Sequence, residues 1–381
     1  MPRNAARPRA PRRPDAPSTA PARRHHVEPA RHSAPRVARA PLPALAGRAV
    51  PRPRRRPRRR LTPRAGGAVR RPPSAILPRV EIPTVLDALR SARSRLAALP
   101  TAESDAAELV SRLAGLARGE LHLRRDLELT PEQWRTLESW LRRRLAGEPV
   151  QYITRRAAFR DLDLVVEPSV LVPRPETEVL VGAVLAVLRE ELWRWPRPRV
   201  LDLGTGSGAI ALALASEWRD AVVTATDASE RALAVARVNA ERLELAPRVT
   251  FLEGHWFEPV GDERFEVVVS NPPYIAPEEA ADLPPEVREH EPHAALFAGE
   301  RGLADLREIV EEAPRHLVTG GLLALELAEA RAFEVAAWLE GAHDWRDVRL
   351  VEDLSGRPRV LLARREHGPA IAPQQWGEER G

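Results

Sequence analysis

At 381 residues, 43% of them hydrophobic, the chain has room for two domains and a tail and enough apolar content for at least one sizeable core. It has no cysteine, which excludes disulfides, thiolate metal sites and a cysteine nucleophile; no apolar run reaches membrane-spanning length and the N-terminus lacks the apolar centre of a secretory signal, so a cytoplasmic protein without membrane contact is expected. The formal charge of +5 conceals an asymmetry: residues 1–80 hold 22 arginines against Asp15 and Glu28, a balance of +20, whereas the rest holds 37 basic and 52 acidic residues, a balance of −15.

Residues 1–78 are rich in Pro, Arg and Ala, contain no aromatic residue and show no sustained apolar period, so they read as a disordered basic extension. The run RRRPRRR at 54–60 has the composition to attract RNA or the ribosome through phosphate contacts. The plainer reading, and the preferred one, is a solvated extension or a start placed upstream, on which nothing catalytic depends.

From 82 to about 147 the pattern turns helical. Thr84 suits an N-cap for a helix with Val85, Leu86, Leu89 and Leu96 near one face, and a second helix carries Leu109, Val110, Leu113 and Leu116. The third is the best marked, with Thr130 as N-cap, Pro131 at the first helical position, Gln133 completing a capping box and Gly147 at its end. Its stripe of Trp134, Leu137, Trp140, Leu141 and Leu145 keeps helical period and reads as core rather than as a ligand cage. Such a bundle is large enough to recognise a protein but carries no chemistry.

Residues 148–190 connect this bundle to the rest of the chain. Residues 159–166 alternate as a hairpin strand would, and Pro173-Arg174-Pro175-Glu176-Thr177-Glu178 leads into a helix through Leu188 whose start, on local grounds, is simply well capped. From 199 onward, short β-rich runs at 200–203, 221–226, 249–252, 265–270, 322–327, 348–351 and 359–363 alternate with helical ones. That order implies an α/β fold with a mostly parallel sheet covered on both faces, whose ligands bind at the carboxyl ends of the strands.

Two motifs begin at such ends. Gly204, Gly206 and Gly208, with Thr205 and Ser207 between them, stand where a strand turns into a helix and ligand atoms approach the backbone. Asp202, just before them, suits a cationic amino-acid moiety better than a pyrophosphate. Asp227 ends the second strand, where an acid accepts hydrogen bonds from a ribose diol or caps the next helix; the ribose role is favoured. Trp256 is left open between a heterocycle contact and the core.

The second motif, Asn271-Pro272-Pro273-Tyr274, is more diagnostic. Two prolines fix the backbone and remove two donors, leaving carbonyls as acceptors. The Asn271 side-chain oxygen and the Pro272 carbonyl are then placed to accept both hydrogens of a planar NH2 group, with Tyr274 stacked on it. Gripping both N–H bonds as the nitrogen becomes tetrahedral favours the transition state of a sluggish nucleophile.

With these residues in hand, the chain resembles the class I methyltransferases that use S-adenosyl-L-methionine, and within them the HemK-like peptide chain release factor glutamine methyltransferases. The likeness runs over about 280 residues, from roughly 82 to 366. It includes GEPVQYI at 147–153, LVPRPETE at 171–178, Asp202 through the three glycines, NPPYI at 271–275, Glu286-Val287-Arg288 with Glu291-Pro292, and Asp353-Leu354 with Gly356-Arg357.

The resemblance implies a Rossmann-like sheet at 191–366 as catalytic domain, a helical substrate-recognition domain at 79–147 that grips the release factor, and a C-terminal tail at 367–381. It implies that Asp202, the loop from Gly204 through Gly208, Asp227, Trp256 and Asn271 contact the methyl donor, while Asn271, Pro272, Pro273 and Tyr274 hold the glutamine of the Gly-Gly-Gln motif of class 1 release factors. Methyl transfer to the amide nitrogen, N5, needs no metal and no strong base. Arg155 stands where members usually have Gly, which is expected to alter a hairpin turn; His255 replaces a common Asp and is expected to weaken a contact around the adenine. The rivals are a glutamine methyltransferase acting on a ribosomal protein, a nucleic-acid adenine methyltransferase gripping an extruded base, and a non-catalytic RNA or ribosome binder acting through the tail.

Overall fold

The computed structural model describes residues 82–191 and 193–366; the arginine-rich extension and the C-terminal tail expected from the sequence lie outside them. Four helices come first: α1 (Val85–Leu96), α2 (Ala102–Ala114), α3 (Pro131–Leu145) and α4 (Val150–Thr154). Thr84 and Asp87 cap α1 reciprocally, and Thr130 and Gln133 do the same for α3, each pair satisfying two otherwise orphan N–H groups. Leu89, Leu96, Leu109, Val110, Leu137 and Leu141 close one apolar core, with Trp134 and Trp140 packed against it.

The expected α3 stripe runs one turn too far. Leu145 is 48% exposed, and Arg144 is the buried residue of that last turn, pairing with Asp105 at 2.6 Å and with Glu286 at 2.6 Å. The apolar core stops at Leu141, and beyond it the helix faces acids, so a paired guanidinium takes the inner position.

Residues 159–166 are not one strand. A two-stranded hairpin forms from β1 (Arg156–Phe159) and β2 (Leu162–Val165), and the expected run straddles its turn. Arg160 takes φ +50° there because its backbone N–H donates to Glu178 and its guanidinium grips Glu217. Arg155 lies outside that turn: it caps α4 in the left-handed region, φ +58°.

After α5 (Pro175–Glu190) the chain builds the sheet: β3 (Arg199–Leu203), α6 (Ala209–Glu217), β4 (Val222–Asp227), α7 (Glu230–Arg242), β5 (Val249–Glu253) and β6 (Phe265–Ser270). It continues through α8 (Pro285–His290), α9 (Gly299–Gly302), α10 (Ala304–His316), β7 (Leu317–Glu326), α11 (Glu329–Gly341), β8 (Trp345–Glu352) and β9 (Pro358–Arg365). The strand order is β5-β4-β3-β6-β7-β9-β8, parallel from β5 to β7, with β9 antiparallel to both its neighbours. All seven strands expected from the sequence are present, most of them longer than their apolar runs.

Val267 and Val269 point into the apolar layer shared with α5 and α6, and Val268 into the layer shared with α10 and α11. With both faces covered, the strand reads as a continuous apolar run rather than an alternating one. Each of these fully buried valines contributes roughly 1.5–3 kcal/mol relative to exposure. The strand order reverses at β3, so β4 and β6 diverge on either side of it and a crevice opens at their carboxyl ends. No helix among the described residues is long and apolar enough to cross a membrane.

Candidate active site

The loop after β3 carries Gly204, Gly206 and Gly208, all at positive φ. At Gly204 (φ +68°) an added Cβ would stand 3.1 Å from the Trp256 ring, so glycine is what lets the indole lie against the loop. Beneath the loop, Asp202 is fully buried: its Oδ2 accepts from the Thr205 hydroxyl at 2.6 Å and from Ala211 N–H at 3.1 Å, and Oδ1 has no partner. Burial pushes this acid up to about 7, against the pull of those two bonds. Asp202 therefore braces the loop from below and is not on the wall of the cavity, in contrast to the direct contact expected of it.

Asp227, at the end of β4, does reach the wall. Its Oδ2 accepts from Gly206 N–H at 2.8 Å and its Oδ1 from Ser229 N–H at 2.9 Å, which leaves each oxygen capacity for a ligand hydroxyl. The cap of α7 is Ser229, whose hydroxyl accepts from Ala232 N–H, so the alternative role for Asp227 falls to its neighbour. Trp256 belongs to both of its expected settings, 8% exposed in the apolar layer and yet on the cavity wall. Beside it on the same wall are Asp305 and His255, the latter with Nε2 at 3.1 Å from Glu308.

Opposite the glycine loop, the residues after β6 complete the cavity, which encloses about 470 Å³. Asn271 and Pro273 line it. The Asn271 Nδ2 donates to the Thr177 hydroxyl at 3.1 Å, and Thr177, in the first turn of α5, is buried and shares the wall. The helix start that looked merely well capped thus carries a site residue.

Pro272 and Tyr274 are not on the wall. The Tyr274 ring packs against the layer of α10 and α11, and its hydroxyl donates to Glu326 Oε1 at 3.3 Å instead of lying open for stacking. Burial and the neighbouring Glu326 raise the Tyr274 hydroxyl well above the ordinary tyrosine value. Glu326, at the end of β7, is itself pushed up to about 7 by burial, with the Thr177 and Tyr274 hydroxyls favouring its charged form. Gly302 supports the motif from behind: at φ +83°, a Cβ there would meet the Tyr274 carbonyl oxygen at 2.3 Å.

Two further wall segments overlap the matched motifs only in part, at 171–173 and at Pro292. Ser169 to Leu171 with Pro173, and Pro292 with Ala294, Ala295 and Phe297, also line the cavity, and Arg174 ties the two stretches together through a 2.6 Å contact with the buried Glu291. Thr177, Glu326 and Gly302 gave no local signal of a role. Their partners lie 94, 52 and 28 residues away in the chain, beyond the reach of any local pattern.

Residues 87–154 match the family model described as the PrmC N-terminal domain, and residues 182–284 the one described as the methyltransferase small domain. The release factor glutamine methyltransferase of Caulobacter vibrioides is 42% identical over 281 residues, covering 73% of this chain and 96% of that one. That of Gloeobacter violaceus is 42% identical over 261 residues, covering 68% and 90%, and that of Pseudomonas aeruginosa 41% over 269 residues, covering 71% and 95%. Identity at this level along nearly the whole length of such relatives means that the chain belongs to the release factor glutamine methyltransferase family.

Proposed function

We propose that the protein transfers a methyl group from S-adenosylmethionine to the side-chain nitrogen of the Gly-Gly-Gln glutamine in class 1 release factors. The observation that carries the reading is the Asn271 amide, which shares one cavity wall with the glycine loop and Asp227 and is anchored from behind by Thr177. The residues present fit the donor: a left-handed turn at Gly204 where a Cβ would crowd the Trp256 ring, a carboxylate with two spare acceptor positions for a ribose diol at Asp227, and the Trp256 indole on the wall for a heterocycle.

When bound, the donor supplies an electrophilic methyl group on a sulfonium. The chain's own part is to grip the acceptor. A carboxamide nitrogen is a poor nucleophile because its lone pair is delocalised into the carbonyl. Asn271 Oδ1, on the cavity wall, accepts one of its hydrogens. That bond strengthens as the nitrogen becomes tetrahedral and its hydrogens more acidic, so it favours the transition state over the ground state. The alkylated amide then sheds a proton to water, for which no strong base is required.

Labelled S-adenosylmethionine incubated separately with class 1 release factor, ribosomes and DNA tests the reading. Label is expected on the release factor alone and should vanish when the Gly-Gly-Gln glutamine is replaced by glutamate. Label on ribosomal protein or nucleic acid, with none on the release factor, would overturn it.

A further inference from the structure

The wall residues from Pro292 to Phe297 belong to a stretch, residues 276–298, that leaves the Asn-Pro-Pro-Tyr motif and returns to it. Ile275 N–H donates to the Leu296 carbonyl at 3.1 Å and Ala298 N–H to the Ile275 carbonyl at 3.0 Å, so a shift of this wall is felt one residue from Tyr274. Between those ends, acids are held from three directions: Glu279 by Arg331 on α11 at 2.9 Å, Glu286 by Arg144 on α3 at 2.6 Å, and Glu291 by Arg174 at the cap of α5 at 2.6 Å.

The Arg144 link crosses over from the helical domain. Its side chain is 6% exposed and is set by its own bundle: Nε donates to Asp105 at 2.6 Å, Nη1 to the Glu148 carbonyl at 3.2 Å, and Nη2 at 3.2 Å to the Thr101 hydroxyl, which in turn donates to Asp105 at 2.7 Å. Nη1 also reaches Glu286 on α8. A planar fork fixed at so many points cannot follow a moving partner, so α8 takes its place from the bundle. The other wall stretch is held from the same side, because the buried Tyr152 of α4 donates its hydroxyl to the Val170 carbonyl at 2.6 Å.

We infer that Arg144 is a positioning residue for the methyl transfer: through Glu286 it sets the wall from Pro292 to Phe297, and with it the backbone that follows Tyr274, from the domain expected to grip the protein substrate. The inference rests on the substrate reading above. Holding the substrate and setting the wall then fall to the same bundle, so a glutamine presented from it meets Asn271 in register. An offset of about 1 Å at such a place can cost on the order of a hundredfold in rate. Cohesion between bundle and sheet has its own contact, since Arg112 on α2 pairs with Asp163 on β2 at 2.7 Å and neither residue lines the cavity.

Glu286→Ala cuts the tether and leaves Arg144 paired with Asp105, so the bundle keeps its buried ion pair. In hydrogen exchange followed by mass spectrometry, amides of residues 285–297 are expected to exchange about tenfold faster or more in this variant, while those of α1, α2 and α3 keep wild-type protection. In turnover on release factor, kcat should fall about fivefold or more, with donor affinity and release factor affinity, both read by calorimetry, moving less than about twofold. Glu286→Gln still offers Arg144 an acceptor and should recover at least about half of the wild-type rate. Asp163→Ala removes the Arg112 pair instead and should leave kcat within about twofold of wild type.

Unchanged exchange at 285–297 in Glu286→Ala would overturn the proposal, as would wild-type kcat in that variant. So would an equal loss of kcat in Asp163→Ala, or a loss of protection in the bundle helices of Glu286→Ala, since either outcome reduces Arg144 to cohesion. If the wild type left release factor unmodified while exchange responded as described, the substrate reading would fall and the tether would stand.

Discussion

On the side of the cavity proposed for the methyl donor, Asp202 holds Thr205 and Ala211, three and nine residues further along, and Asp227 reaches back 21 residues to Gly206. On the acceptor side, Asn271 leans on Thr177 from 94 residues earlier and Tyr274 on Glu326 from 52 residues later. The glycine loop and Asp227 belong to two consecutive strand-loop-helix units, with Trp256 added after β5, whereas the Asn271 side exists only once α5, β6, β7 and the turn at Gly302 have all come together. A disturbance on the donor side should therefore weaken ligand binding, and one on the acceptor side should act on the chemical step.

The contrast can be broken by substitution. Asn271→Ala is expected to reduce kcat at least about a hundredfold, the loss typical of a transition-state hydrogen bond, with a much smaller change in donor affinity; steady-state assays with labelled donor and calorimetry read the two separately. Gly302→Ala places a Cβ 2.3 Å from the Tyr274 carbonyl oxygen, so the motif must shift; a drop in kcat of about tenfold or more is expected, together with a lower melting temperature. Asp227→Ala should weaken donor binding by about tenfold, the worth of hydrogen bonds to a charged group, while sparing kcat at saturating donor. A collapse of kcat in that variant would show that the two walls are not separable.

Two smaller effects sharpen the picture. The Asp202 carboxyl titrates near 3.8 in an ordinary setting and near 7 beneath the loop, so its raised value favours the fold most at low pH. That contribution is full below the ordinary value and is lost as pH rises through about 7. Urea midpoints of Asp202→Asn should therefore vary less between about pH 5 and 8 than those of the wild type. Arg155→Gly relieves a left-handed residue at the end of α4 and should raise stability by about 1 kcal/mol without changing turnover, read from the same midpoints.

The same contrast explains what was legible in the sequence. The seven strands, the N-cap at Thr84, the capping box of α3 and the glycine turn are local devices, each complete within a few residues of its signal. Residues 159–166 misled because hydrophobic alternation says nothing of a turn whose arginine is held by Glu178 and Glu217, partners contributed by later elements. Leu145 misled because helical period continues past the point where the core ends. The Asn-Pro-Pro-Tyr motif could be read as an amide cradle from its residue types, but the Tyr274 ring was expected over the substrate and lies instead in the apolar layer behind the wall, anchored through its hydroxyl. Thr177 and Glu326 stayed invisible because a buried hydroxyl and a buried carboxyl acquire a role only from what the fold sets beside them.

The most direct test of the central claim is to locate the transferred methyl group by fragmentation mass spectrometry of a class 1 release factor after reaction with the wild-type protein and S-adenosylmethionine. The account predicts one added methyl, on the side-chain nitrogen of the Gly-Gly-Gln glutamine. A methyl group found on any other atom or residue, or a release factor recovered unmodified, would contradict it.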